Sequence, residues 1–157
     1  MGEPAASTEA EFRVAGPGDL ETLVPLVREF WAIERIEFVE AGVRRALAGI
    51  LGDETFGRMV LIELGAEAIG YYALTLGYSL EFFGRDAFVD EVYVREAHRS
   101  RGLGVRALAH AEAQCAELGV GFLHLEVDHV NPRARALYER TGFVRHERAL
   151  MTKRIAG

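Results

Sequence analysis

Between residues 87 and 118 the apolar pattern changes period across one glycine-bearing loop, and few architectures accommodate that change. Residues 87–94, AFVDEVYV, read as a strand with apolar residues on both faces. Residues 95–101 form a charged loop. Gly102-Leu103-Gly104 then opens a run in which Gly104, Leu108, Ala111, Cys115 and Leu118 recur at helical spacing, and Gly119 closes it. A strand that feeds a helix in this way lays the helix on a sheet, so both elements belong to one α/β core.

The rest of the chain fits around that unit. Residues 12–14 read as a short strand, and Pro17-Gly18-Asp19 turns into a helix with Asp19 as its cap. Leu20, Leu23, Val24, Val27, Phe30 and Trp31 form the apolar face of that helix. A second helix covers residues 41–51. Residues 58–64 and 68–78 read as a hairpin, and residues 122–127 as a strand. Asn131-Pro132 starts a helix that ends at Gly142, because Asn caps and Pro fits the first helical position. Residues 143–146 and 149–155 look like two final strands. The expectation is an α/β chain around one central mixed sheet flanked by about four helices. Residues 1–11 form a loose tail, and residues 12–157 a single domain.

Composition narrows the function. No apolar run approaches the ~20 residues that span a bilayer, and no signal segment precedes residue 12, so the expectation is a cytoplasmic protein without a membrane partner. The net charge of −6 makes nucleic acid a poor partner, since phosphate contacts need Lys and Arg. It favours cations such as protonated amines. The single cysteine, Cys115, lies on the apolar stripe of its helix and reads as core rather than nucleophile. His124, Glu126, Asp128 and His129 cluster in sequence, but ordinary packing outweighs a metal site, and no metal is expected.

The loop carries the chemistry. A helix start presents unpaired N–H groups and a positive dipole end, which suit a phosphate, and glycines let the ligand approach the backbone. Arg95, Arg99, Arg101 and Arg106 gather here against the single acid Glu96. Two readings of the phosphate compete. Gly102, Gly104 and Ala107 satisfy the G-x-G-x-x-G/A dinucleotide pattern, with Glu126 near the expected acid position. The loop of residues 95–101 is too long for the tight turn of that fold, and the chain has no room for a second nucleotide-binding half. No Gly-Lys-Ser/Thr follows the glycines, which removes the nucleoside-triphosphate loop.

Arg99-Ser100-Arg101-Gly102-Leu103-Gly104 resembles the R/Q-x-x-G-x-G/A signature of the GCN5-related N-acetyltransferases, where this loop binds the pyrophosphate of coenzyme A. Asp90-Glu91-Val92-Tyr93-Val94 is similar to the family's strand before the signature. Asn131, Ala134, Leu137, Tyr138, Gly142 and Phe143 match its N-x-x-A-x-x-L/F-Y-x-x-x-G-F segment. The matched stretch covers about a third of the chain. The resemblance implies the acyl-coenzyme A N-acyltransferase fold, acetyl-coenzyme A as co-substrate, and often a homodimer. It implies that Val92, Tyr93 and Val94 hold the pantetheine arm through a bulged strand. Arg99, Ser100, Arg101, Gly102, Leu103, Gly104 and Val105 would surround the pyrophosphate, and Asn131 would meet the pantetheine amides.

Acetyl transfer to an amine needs a base, a polarised carbonyl and a proton for the departing thiolate. Asp90 and Glu91 are both candidate bases; the resemblance favours Asp90, and strand alternation puts the two on opposite faces. Tyr138 is the candidate acid, two helical turns from Asn131. Trp31, Glu34, Tyr78 and Glu81 fall where the family places its acceptor, and aromatics with acids suit a cationic small-molecule amine. The alternatives are a protein or peptide acetyltransferase acting on N-termini or lysines, and a non-catalytic sensor of acetyl-coenzyme A.

Overall fold

The computed structural model describes residues 9–128 and 130–156. The chain divides after Leu125 into two compact units, Met1–Leu125 and Glu126–Gly157.

The first unit is built on a five-stranded mixed sheet in the order β1 (Glu11–Val14), β2 (Gly57–Leu64), β3 (Glu67–Ser79), β4 (Gly84–Val94) and β5 (Phe122–Leu125). The first four strands are antiparallel neighbours, and β5 joins β4 in parallel. Helix α3 (Leu103–Glu117) makes the β4–β5 crossover that a parallel pair requires. Helices α1 (Leu20–Glu34) and α2 (Glu40–Gly52) join β1 to β2. Two cores lie on the two faces of the sheet. Tyr71 and Ala73 of β3 pack with Leu23, Val24, Leu26 and Val27 of α1 and Val43 and Leu47 of α2. On the other face, Ile62 and Ile69 pack with Ala10 and with Leu103 of α3; Ile69 reaches that face because a register shift between Ile62 and Glu63 leaves it as the extra residue of β3.

Two glycines are required by close approach. A Cβ on Gly57 (φ 139°) would stand 1.9 Å from the Leu74 carbonyl oxygen, and one on Gly70 would stand 2.2 Å from that of Tyr93. Asp19 does not cap α1 by its side chain. It accepts from the Gly16 N–H at 2.8 Å and from Arg13, holding the entry turn instead.

In the second unit, α4 (Pro132–Arg140) starts as its Asn-Pro start predicts: the Asn131 side chain accepts from the Ala134 N–H at 3.1 Å. Residues 143–156 contain no strand, contrary to the two expected there. They are mostly exposed and take part in no backbone ladder, without which an apolar alternation does not become a strand. Among the described residues no helix is long and apolar enough to cross a membrane.

Candidate active site

The carboxyl of Glu91 is the centre of the first unit's chemistry. Trp31 Nε1 donates to one of its oxygens at 2.7 Å, and the Tyr71 hydroxyl donates to the other at 2.6 Å. Trp31 reaches it because α1 ends there: Arg35 turns left-handed (φ 57°), and the Ile36 N–H closes on the Trp31 carbonyl at 2.8 Å. Tyr71 is fully buried on β3 and packs against Phe30 and Tyr93. In this aromatic setting burial raises the Glu91 carboxyl above its ordinary range, the Tyr71 and Trp31 hydrogen bonds oppose that, and the nearby Asp90 charge adds to it. Burial and the Glu91 charge push the Tyr71 phenol up, so it stays a donor.

The strand is irregular at this point. Ala73 pairs with Glu91 and Leu74 with Val89, which leaves Asp90 as the extra residue of a β-bulge. Glu91 therefore faces α1, while Asp90 is exposed at the bulge. The ladder to β5 stops at Val89 and Leu125, one residue earlier. Beyond it, the β4 edge that turns away from β3 pairs with no strand among the described residues. Val92, Tyr93 and Val94 lie on that stretch, and an extended amide-bearing arm can add to such an edge as a further strand does.

The chain next enters the loop predicted to take phosphate. After a single turn at Glu96–His98, Ser100 (φ 62°) and Gly102 (φ 72°) both adopt the left-handed conformation, and Gly102 is the N-cap of α3. Glycine has no side chain to satisfy the first N–H groups of the helix, so these donors await an outside acceptor. A Cβ on Gly102 or Gly104 would meet nothing within 4 Å, so the approach is open. These features fit a polyphosphate. Not all four arginines serve it. Arg95 makes a two-point ion pair with Glu29, both contacts at 2.9 Å, and also reaches Glu67. Arg106 donates to the Ala10 carbonyl and stands 3.6 Å from Glu9. Arg99 is exposed, anchors through Nε on the Val94 carbonyl at 2.8 Å and stands over the Tyr93 ring. Arg101 lines a cavity of about 170 Å³ with His98, Leu103 and Arg106. Leu103 is buried in the core and Val105 is exposed.

Within the first unit, Glu34, Tyr78 and Glu81 make no contact with Glu91. Glu34 is exposed at the end of α1. Tyr78 is 77% exposed and lies opposite Arg85, five residues along β3 from Ala73. Glu81 is exposed in the β3–β4 turn. Tyr93 is buried and its hydroxyl donates to Glu29 at 3.0 Å, so its ring is structural. Cys115 is buried, and burial raises its thiol. In the second unit, Tyr138 packs edge-on against Phe143, and burial pushes its phenol up. His124 stands 3.2 Å from Asp86; His129 lies outside the described residues. Tyr71 and Glu29 were not anticipated. Strand register brings Tyr71 to Glu91, and no local pattern encodes register.

A half-buried carboxylate beside an unpaired strand edge, followed by a glycine-capped helix, suits an enzyme that takes an acyl group from a phosphate-bearing thioester. The chain belongs to the Acetyltransferase (GNAT) family, which residues 23–143 match across both units. It is an N-acetyltransferase, and acetyl-coenzyme A is the family's acyl donor. It is similar to thialysine N-epsilon-acetyltransferase of Bos taurus, with 26% identity over 83% of this chain and 81% of that one. It is also similar to streptothricin acetyltransferase of Streptomyces lavendulae, with 27% identity over 85% and 80%. Among solved structures, an integron cassette protein from the Cole Harbour Salt Marsh metagenome is 36% identical, with a TM-score of 0.81 over 93% of this chain and 91% of that one. An aminoglycoside N-acetyltransferase solved with coenzyme A shares the fold at 15% identity, with a TM-score of 0.80 over 98% and 100%.

Proposed function

We propose that the chain transfers the acetyl group of acetyl-coenzyme A directly to a primary amine of a small molecule, with Glu91 as the base. The observation that carries this is the Glu91 carboxyl: half-buried, held by Trp31 and Tyr71, and raised above its ordinary range on the α1 face of the bulged strand. A carboxylate so tuned takes a proton near neutral pH more readily than an exposed one. Two relatives named for thialysine and streptothricin support a small-molecule acceptor.

In the proposed reaction the ammonium gives one proton to Glu91, directly or through one water. The freed nitrogen attacks the thioester carbonyl, the carbon–sulfur bond breaks, and an amide forms. N–H groups on the unpaired β4 edge at Val92–Val94 would polarise the carbonyl and hold the pantetheine arm. The donors at the start of α3, with Arg99 and Arg101, would hold the pyrophosphate. Tyr138 would protonate the departing thiolate and take back a proton from the nitrogen, which sheds its second one as the amide forms; a phenol raised by burial has a proton to give. Asn131 would contact the pantetheine amides.

Calorimetric titration with acetyl-coenzyme A, and with NAD in parallel, tests donor binding; thiol release across an array of free amines tests the acceptor. Saturable binding of acetyl-coenzyme A and turnover with small amines are expected. Reaction only with peptide N-termini or protein lysines overturns the small-molecule reading, and binding of NAD instead overturns the reading of the loop.

A further inference from the structure

The α1 face of the sheet continues past Glu91 without helical cover. The pairs Tyr71–Tyr93 and Ala73–Glu91 lie under α1 and α2. The next pairs on the same face are Thr75–Phe88 and Gly77–Asp86, and β5 adds His124 opposite Phe88 and Phe122 opposite Asp86. Phe88 remains 38% exposed on this floor. Four residue steps along β3, from Ala73 to Gly77, take the Glu91 pair to the Asp86 pair, a run of about 13 Å.

Asp86 is almost fully buried, which is costly for a carboxylate unless it is paired and hydrogen-bonded. Among the described residues no side chain or backbone N–H completes a hydrogen bond to it, and His124 is its one ion-pair contact. His124 Nε2 is 3.2 Å from Oδ2, yet among the described residues that buried nitrogen completes no hydrogen bond. Arg85, next in the chain, turns away to the Leu118 carbonyl. Gly77 leaves the carboxylate its room, since a Cβ there would stand 2.6 Å from Oδ1. Around the pair, Phe82 and Phe88 stack at 4.5 and 5.0 Å from the His124 ring, and Phe82 also meets Phe122 at 5.0 Å. A carboxylate short of a donor, set beside an imidazole and framed by aromatic rings, matches a group with several N–H donors and a positive charge.

We infer that Asp86 and His124 form a subsite for a second cationic group of the acceptor, so that the preferred acceptor is a long diamine or polyamine-like molecule with its charges roughly 10 Å or more apart. This rests on the proposed transfer at Glu91, which fixes where the reacting amine lies. An ammonium at the subsite would donate to the Asp86 carboxylate, against the His124 ring that stands beside it, while the reacting amine lies at Glu91.

The test is calorimetric titration of the coenzyme A-saturated protein with the eight-carbon α,ω-diamine and with octylamine. Nine bonds of about 1.5 Å in a zigzag set the nitrogens of that diamine about 11 Å apart. The diamine is expected to bind about tenfold tighter or more, the worth of one charge-assisted contact. Asp86→Asn should abolish that difference, and His124→Gln, which leaves β4 intact, should shrink it. Equal binding of the two amines, or a difference that survives both substitutions, overturns the subsite. Thiol release from acetyl-coenzyme A with the same amines reads the transfer separately. Binding that depends on Asp86 without thiol release would retire the proposed function and keep the subsite; thiol release without that dependence would retire the subsite alone.

Discussion

Replacing Glu91 by Gln is the most direct perturbation of the proposed chemistry, and the structure says why it leaves the fold standing. The Gln amide oxygen can accept from Trp31 Nε1, which only donates, and its NH₂ can donate to the Tyr71 oxygen, which does both. Both partners keep a hydrogen bond, so the stability change is small. The kinetic change is not: a positioned base contributes roughly a hundred- to ten-thousandfold, and kcat/KM at neutral pH should fall by that order. The pH profiles separate this from a structural effect. In wild type, activity rises with pH as Glu91 loses its proton; Glu91→Gln lacks that limb and retains only the one set by the acceptor amine. Stability moves with pH in a defined sense as well. Burial makes the folded chain bind the Glu91 proton more tightly than the unfolded chain. Between the two titrations the folded state holds more protons, so wild-type stability falls as pH rises through that window. The variant carries no such charge, and should gain on wild type over the same window in thermal melts. Activity within threefold of wild type would refute the role of Glu91. A loss seen with Asp90→Asn in its place would move the base to the bulge residue.

Tyr71→Phe removes a hydrogen bond that favours the charged form of Glu91, so the acidic limb should move to higher pH; a limb that stays put would show that Tyr71 does not tune the carboxyl. Tyr138→Phe should lower kcat by at least tenfold and leave the calorimetric affinity for acetyl-coenzyme A unchanged, whereas a purely structural ring would leave kcat alone. Gly70→Ala places a methyl group 2.2 Å from the Tyr93 carbonyl oxygen, where only backbone can yield, and should cost about 3 kcal/mol or more in denaturant unfolding.

What the sequence made legible was what short-range physics encodes. The period change at Gly102 located α3, the Asn-Pro pair located α4, and the apolar stripe of α1 gave its buried face. The mixed sheet with four α-helices agrees with the expected fold. What stayed hidden depends on register or on distant partners. Nothing local says that Asp90 is the bulged residue, and simple alternation left both acids eligible. The arginine count around the loop overstated the positive charge available, because Glu29, 66 positions before Arg95, pairs with it. The final apolar alternation read as strands because the pattern does not report whether a ladder partner exists.

The bulge at Asp90 ties these observations together. A regular β4 would keep a strict two-residue alternation through Asp90 and Glu91. With the extra residue inserted, Val89 stays in step with Leu74 on the α3 face, while Glu91 pairs with Ala73 on the α1 face. The same insertion strengthens the local twist just where β4 loses β5, so the edge opens beside the carboxyl rather than away from it. In the proposed reaction the bulge thus leaves the stretch of backbone beside Glu91 free for a thioester. Deleting Asp90 would make Val89 and Glu91 consecutive opposite Leu74 and Ala73, so each keeps its face and Glu91 its Trp31 and Tyr71 contacts, while the added twist at the β4 edge is lost.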